Sequence, residues 1–323
     1  MLINKYLDKR QNSFVSIYNS EKFIQSGKNL RPTSFPFLVD VELTNHCNLS
    51  CIFCGQQAMK RPKGYMNENV FKRIIDECAQ YDAGIRFIRY GEPFLHKNII
   101  EYCRYVKSKG LLLHITNNGI IITEEHMKSI VDIGVDSIIF SFQGLTKDEY
   151  EGLRNNKQYD LLVENIIKLV KIRGEKEKPY IHISTTITDE TDEQVNEFKK
   201  HWENIVDSVG IGKTNLSYLS EHQIKSFEVL NKLELIKKRE TIKKVYRPCS
   251  EIYQKLSVDW DGNITCCCSD FDNFMTLANI NDTTLYEIWN NSKKLKLIRE
   301  MLDKNMHYTF ALCRGCYAVY DEF

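Results

Sequence analysis

Three cysteines, Cys47, Cys51 and Cys54, fall within the stretch NHCNLSCIFC at 45–54, directly after the apolar run FLVDVELT at 37–44. Thiols spaced this closely converge on one short loop, and a loop of that kind at the end of a strand reads as a ligand set. The chain holds eleven cysteines in 323 residues, and its first residues lack the apolar core of a signal peptide. In a reducing compartment such thiols bind metal or do chemistry rather than cross-link. The cytoplasm is therefore the expected location. No apolar run approaches the roughly 20 residues of a membrane span. Lys plus Arg number 44 against 43 for Asp plus Glu, so no basic field points to nucleic acid or an anionic membrane as partner.

Strand-like and helix-like segments alternate along most of the chain. The strand signals are 38–44, 85–90, 111–116, 137–142, 180–187 and, more weakly, 208–219. Between them, segments such as ENVFKRIIDECAQY, with Val70, Ile74, Ile75 and Cys78 apolar, repeat near the helical period. This alternation predicts an α/β fold of parallel strands joined by right-handed crossovers. A partial (β/α)6 barrel and a flat doubly wound sheet both satisfy it. The unusual residues favour the barrel: the thiols follow the first strand, Gly91-Glu92-Pro93 the second, Asn117-Asn118-Gly119 the third and Gln143-Gly144 the fourth. All lie beyond the carboxyl ends of strands, the face on which such folds build sites.

Iron and zinc both take thiolates. Structural zinc asks for four closed ligands, whereas the first loop supplies three and the next short pair, Cys313 and Cys316, lies at the far end of the chain. A cubane iron–sulfur cluster on three protein ligands leaves one iron open to a substrate.

The spacing C-x3-C-x2-C, with aromatic Phe53 before the last cysteine, resembles the signature of the radical S-adenosylmethionine superfamily. The likeness runs from about 37 to 220. It implies a partial (β/α)6 TIM-like barrel, a [4Fe–4S] cluster on Cys47, Cys51 and Cys54, and S-adenosylmethionine on the open iron. RYGEP resembles the family's Gly-Gly-Glu-Pro segment, with Tyr90 in place of the first glycine. By that likeness Gly91 and Glu92 would meet the methionine ammonium. Phe53, Asn118, Ser141, Gln143 and Arg154 are further cofactor-binding candidates.

The C-terminal third resembles the SPASM or shorter Twitch extension, which holds auxiliary clusters. Cys249, Gly262-x4-Cys267, Cys313 and Cys316 fit its pattern and imply one auxiliary [4Fe–4S] cluster. The expected divisions are an N-terminal extension at 1–36, the radical core at 37–220, a linker helix at 221–248 and a small iron–sulfur domain at 249–323. Cys78 and Cys103 sit at apolar helix positions and read as core, while His46, His114 and His182 read as structural.

Three function classes follow. The leading one is an oxidoreductase or epimerase that abstracts hydrogen from a carbon of a sugar, aminocyclitol or nucleotide-linked sugar. Inversion would need a hydrogen donor, and Cys266 and Cys268, flanking Cys267, are the candidate catalytic thiols. A flavodoxin- or ferredoxin-type protein would supply electrons. Second is a maturase of a ribosomal peptide; 36 residues precede the first strand, short for the leader-binding module many such enzymes carry. The third is a non-catalytic iron–sulfur or zinc protein.

Overall fold

The computed structural model describes residues 10–214, 227–240 and 247–316. Six strands run parallel in sequence order: β1 (Leu38–Val41), β2 (Gly84–Phe87), β3 (Leu113–Asn117), β4 (Ser137–Ser141), β5 (Tyr180–Ile187) and β6 (Ser208–Lys213). Helices connect them, including α3 (Glu68–Tyr81), α4 (Ile99–Ser108), α5 (Glu124–Ile133), α6 (Lys147–Arg154), α7 (Tyr159–Arg173) and α8 (Asp192–Trp202). The architecture is the expected α/β partial barrel. Of the sixth strand signal, 215–219 lie outside the described residues, as do 221–226 and 241–246 of the expected linker helix, within which α9 spans Phe227–Glu240.

Local chemistry explains the helices. Asn67 caps α3 by accepting the Val70 N–H at 2.9 Å, and Asp82 closes it in the left-handed conformation. Its stripe of Val70, Phe71, Ile74, Ile75 and Cys78 is buried, each large side chain contributing about 1.5–3 kcal/mol. These residues meet the outer face of the sheet, where Val39, Val41, Ile85, Phe87, Leu113, Ile115, Ile138 and Phe140 form the core. Cys78 and Cys103 belong to that core, as expected.

The opposite face is polar in strand after strand. Asp40 pairs with Arg86 at 2.7 and 2.9 Å, and the register sets Arg86 beside His114 and His114 beside Ser137. The His114 ring meets Ser137 Oγ at 2.6 Å and Thr116 Oγ1 at 3.0 Å, and His182 meets Ser208 Oγ at 2.6 Å. Burial pushes the His114 pKa down to about 3. Both histidines are neutral structural partners. The short helix α1 (Val15–Tyr18), which precedes α2 (Glu21–Asn29), caps this face from below. Phe14 lies edge-on to His114, and the Tyr18 hydroxyl accepts from Arg86.

The C-terminal segment is not set apart. Strand β7 (Lys255–Val258) pairs in parallel with the free edge of β1, and β8 (Asn263–Thr265) and β9 (Thr276–Asn279) continue the sheet antiparallel. Helices α10 (Leu285–Asn291) and α11 (Lys293–Asp303) pack onto the same core through Leu285, Trp289, Leu295 and Ile298. Nine strands thus form one sheet among the described residues.

Candidate active site

A cavity opens at the carboxyl ends of β1 to β4. Cys47, Cys51, Cys54, Phe53, Gly91, Glu92, Asn118, Ser141 and Arg154 line it, together with Arg89, Tyr90 and Thr116. The first nine are residues that the sequence singles out, brought together from the ends of four successive strands and the segments that follow them. Among the described residues, no three Cys, His, Asp or Glu side chains converge tightly enough for a single metal ion; the thiols border a cavity instead, which suits a body larger than one zinc. Burial raises the Cys47 thiol to about 11 and the Cys54 thiol to about 12. Ligation would therefore expel protons.

Backbone geometry holds the cysteine loop. Asn45 Nδ2 donates to Pro62 O at 2.9 Å, while its Oδ1 accepts from Gly64 N at 2.9 Å. The Gln56 amide donates to Asn45 O, and Ile52 N donates to Leu153 O. Gly91 sits at φ +113°, where a Cβ would stand 2.1 Å from Thr44 O. The glycine is thus required by the backbone of this loop before any cofactor arrives.

Glu92 is 2% exposed. Its carboxylate accepts from Phe94 N at 3.1 Å and Asn118 N at 2.7 Å, and burial pushes its pKa up to about 7. Asn118 Nδ2 donates to Asn48 Oδ1 at 2.8 Å and approaches Cys47 Sγ at 3.8 Å. Arg154, the last residue of α6, donates to Ser141 O and Phe142 O at 2.9 Å each and reaches toward Cys51 Sγ at 3.7 Å. Its Nε is buried with no hydrogen-bond partner, and its guanidinium lies 5.7 Å from the Phe53 ring. An unpartnered donor beside three thiols suits an anionic group in the cavity.

Gln143 does not join them. Its Nε2 donates to Thr186 O at 3.0 Å and Thr214 Oγ1 at 2.6 Å, and its Oε1 accepts from Thr186 at 2.7 Å. These bonds make it a lock across the ends of β4, β5 and β6, and it is not among the residues that line the cavity. Cys266, a candidate thiol, is buried in the core near Arg299 and Cys313 and is not among the residues that line the cavity. Cys268 is half-buried and lies within the electrostatic reach of Arg86 and Cys249, but it does not line the cavity either.

The other three C-terminal candidates lie within electrostatic reach of Cys249. Its half-buried thiol is pushed up to about 12, first by desolvation and then by Cys316, Cys268 and Cys313, while Cys267 feels Cys268, Cys266 and Cys249. Cys313 and Cys316 sit on one tight turn, with Cys316 N donating to Cys313 O.

A charged clasp that the sequence did not reveal joins the two cysteine sites. Arg61, just past the first loop, forms a bidentate pair with Glu42 and donates to Phe271 O at 2.8 Å. Arg89 pairs with Asp259 at 2.7 Å and donates to Cys267 O and Asp270 O. Tyr90, at the family's first glycine, donates its hydroxyl to Ser269 O at 3.1 Å. Arg89 has φ +127°, a backbone state that costs a non-glycine residue on the order of 1–3 kcal/mol.

Comparison with known proteins agrees with this geometry. The Radical SAM superfamily model matches residues 41–212, and the SPASM iron–sulfur cluster-binding domain model matches 249–317. These matches imply a [4Fe–4S] cluster with S-adenosylmethionine and auxiliary iron–sulfur binding. The chain is 27% identical, over 85% of its length and 86% of the relative's, to the tungsten-containing aldehyde ferredoxin oxidoreductase cofactor-modifying protein of Pyrococcus furiosus. It is 23% identical, over 86% of its length and 92% of the relative's, to the S-adenosyl-L-methionine-dependent 2-deoxy-scyllo-inosamine dehydrogenase of Niallia circulans. Among solved structures, Streptococcus suis SuiB bound to precursor peptide SuiA aligns with a TM-score of 0.67 at 18% identity, covering 95% of this chain and 78% of that one. BtrN in complex with AdoMet and 2-DOIA aligns at 0.55 and 18%, covering 87% and 92%. No helix among the described residues is long and apolar enough to cross a membrane. The chain belongs to the radical SAM superfamily and carries a SPASM iron–sulfur cluster-binding domain at its C-terminal end.

Proposed function

We propose that this protein dehydrogenates a carbon of a small hydroxylated or aminated substrate, the class that includes sugars and aminocyclitols. The observation that carries this reading is the polar inner face. Where barrel interiors are usually filled by branched apolar side chains, here Asp40, Arg86, His114 and Ser137 stand in register across β1 to β4, and His182 stands beside Ser208 on β5 and β6. Above that tier, Thr116 and Ser141 face the cofactor cavity. The tier residues bond one another, so a substrate would meet the polar lining above them, where Thr116 and Ser141 offer hydrogen bonds in exchange for water.

When bound, the cluster and S-adenosylmethionine supply abstraction of a carbon-bound hydrogen atom, and the C-terminal cluster supplies a one-electron acceptor. The chain's own part is placement. Cys47, Cys51 and Cys54 are the proposed ligands of the first cluster, and Cys249, Cys267, Cys313 and Cys316 those of a single second one. The Glu92 carboxylate is the proposed acceptor for the cofactor ammonium, and the open Nε of Arg154 a donor to its carboxylate. Dehydrogenation is preferred to inversion because Cys266 is spent on the core and Cys268 lies off the cavity.

The test is hydrogen transfer. Anaerobically reconstituted protein, dithionite and S-adenosylmethionine are incubated with aminocyclitols and sugars bearing deuterium on carbon. The reading expects deuterium in 5′-deoxyadenosine and a product two hydrogens lighter. Deuterium arriving only from a peptide would establish the maturase reading, and solvent deuterium at an inverted carbon would establish an epimerase.

A further inference from the structure

Arg89 occupies a place that neither cysteine site explains by itself. Its side chain is 0% exposed, it stands in the wall of the cavity bordered by Cys47, Cys51 and Cys54, and it donates to the carbonyl of Cys267 at 3.1 Å and that of Asp270 at 2.6 Å. Its backbone, just past the end of β2, is held at φ +127°. Its Nε has no hydrogen-bond partner. The nearby carboxylates are shared: Asp259 also faces Arg61, and Glu42 is engaged by Arg61 in both oxygens.

We propose that Arg89 is a positioning residue that fixes the Cys267 loop against the cofactor cavity and holds a positive charge beside the auxiliary cluster, raising that cluster's reduction potential. The proposal rests on the reading that Cys267 is one of the auxiliary ligands. Reduction adds negative charge to a cluster, so a buried cation nearby favours the reduced form, and hydrogen bonding and net charge around the sulfurs are established levers on such potentials. Asp259, paired with the Arg89 guanidinium at 2.7 Å, works in the opposite direction. An electron leaving the substrate in the cavity would thus meet an acceptor tuned by a residue of the cavity wall.

The test is a potentiometric titration of the anaerobically reconstituted full chain, followed by electron paramagnetic resonance. The auxiliary signal is assigned in the variant with Cys47, Cys51 and Cys54 changed to Ala. Arg89→Met is expected to lower the reduced-to-oxidised ratio of that cluster on the order of tenfold at fixed potential, about 59 mV for one electron. Arg89→Lys should recover part of the shift through its charge. Asp259→Asn should move the potential upward. If Arg89→Met fails to retain iron, Asp259→Asn decides: an unshifted potential, or no second cluster at all, overturns the proposal. Equal potentials in wild type and Arg89→Met, or shifts of the same sign in both variants, overturn it as well. Cys267→Ser is run beside them; full iron and an unchanged auxiliary signal there would overturn the ligand reading itself, whatever Arg89 does.

Discussion

The Glu92 carboxylate accepts the backbone N–H of Asn118 at 2.7 Å, so the loop after β2 and the loop after β3 are joined by the group proposed to receive the cofactor ammonium. Burial raises this carboxyl from its ordinary value of 4.5 to about 7 in the cofactor-free protein. The ionised form is the stronger acceptor for an ammonium.

Cofactor affinity is therefore expected to strengthen as pH rises through about 7, because below it Glu92 is neutral and a weaker partner for the ammonium. Glu92→Gln should flatten this dependence and weaken binding by about 1.5–3 kcal/mol above pH 7, the range for hydrogen bonds to charged groups. Calorimetric titration of the cluster-loaded chain reads both effects. A pH-independent affinity in wild type would remove Glu92 from the site.

Arg154 is placed to support Cys51 rather than only the cofactor. Arg154→Met should speed iron loss to a chelator from the first cluster by about 10–100-fold, the usual effect of removing an outer-shell partner. The auxiliary cluster should be untouched. Equal loss from both clusters would point to general unfolding instead.

Gly91→Ala brings a Cβ against Thr44 O at 2.1 Å, with Asn45 Cα and His46 O also under 3.0 Å. Rigid backbone on three sides makes a loss of at least about 3 kcal/mol the expectation. Gly134 provides the control, since it shares a positive φ but has nothing within 4 Å; Gly134→Ala should cost only about 1–2 kcal/mol. Thermal unfolding of the two variants separates a close approach from a turn preference.

Gln143→Ala should lower stability by about 1–3 kcal/mol through loss of its bonds to Thr186 O and to the Thr186 and Thr214 hydroxyls, while cofactor affinity stays at the wild-type value. A selective loss of affinity would return Gln143 to the cofactor site.

What could be read from sequence was what is local. Helix α3 spans the whole of 68–81 and β5 the whole of 180–187, because period and caps sit within each segment. The three-thiol loop was legible for the same reason: its ligand candidates are contiguous. Helix α6 was missed although Thr146 and Glu149 form a reciprocal capping box, a signal that eight residues of mostly polar chain concealed. Gln143 and Arg154 looked alike as polar residues beyond β4. Their fates diverge because strand register hands Gln143 to Thr186 and Thr214, whereas the last turn of α6 sets Arg154 facing Cys51. The joining of β7 to β1 and the reach of Arg89 to Cys267 link residues far apart in the chain, and neither leaves a mark in local pattern.

Metal content and cofactor cleavage measured together test the account most directly. Anaerobically reconstituted protein should hold roughly eight irons per chain as two four-iron clusters and form 5′-deoxyadenosine from S-adenosylmethionine under reduction. Changing Cys47, Cys51 and Cys54 together to Ala should halve the iron and abolish 5′-deoxyadenosine. Zinc in place of iron in anaerobic material, or undiminished cleavage by the triple variant, would contradict it.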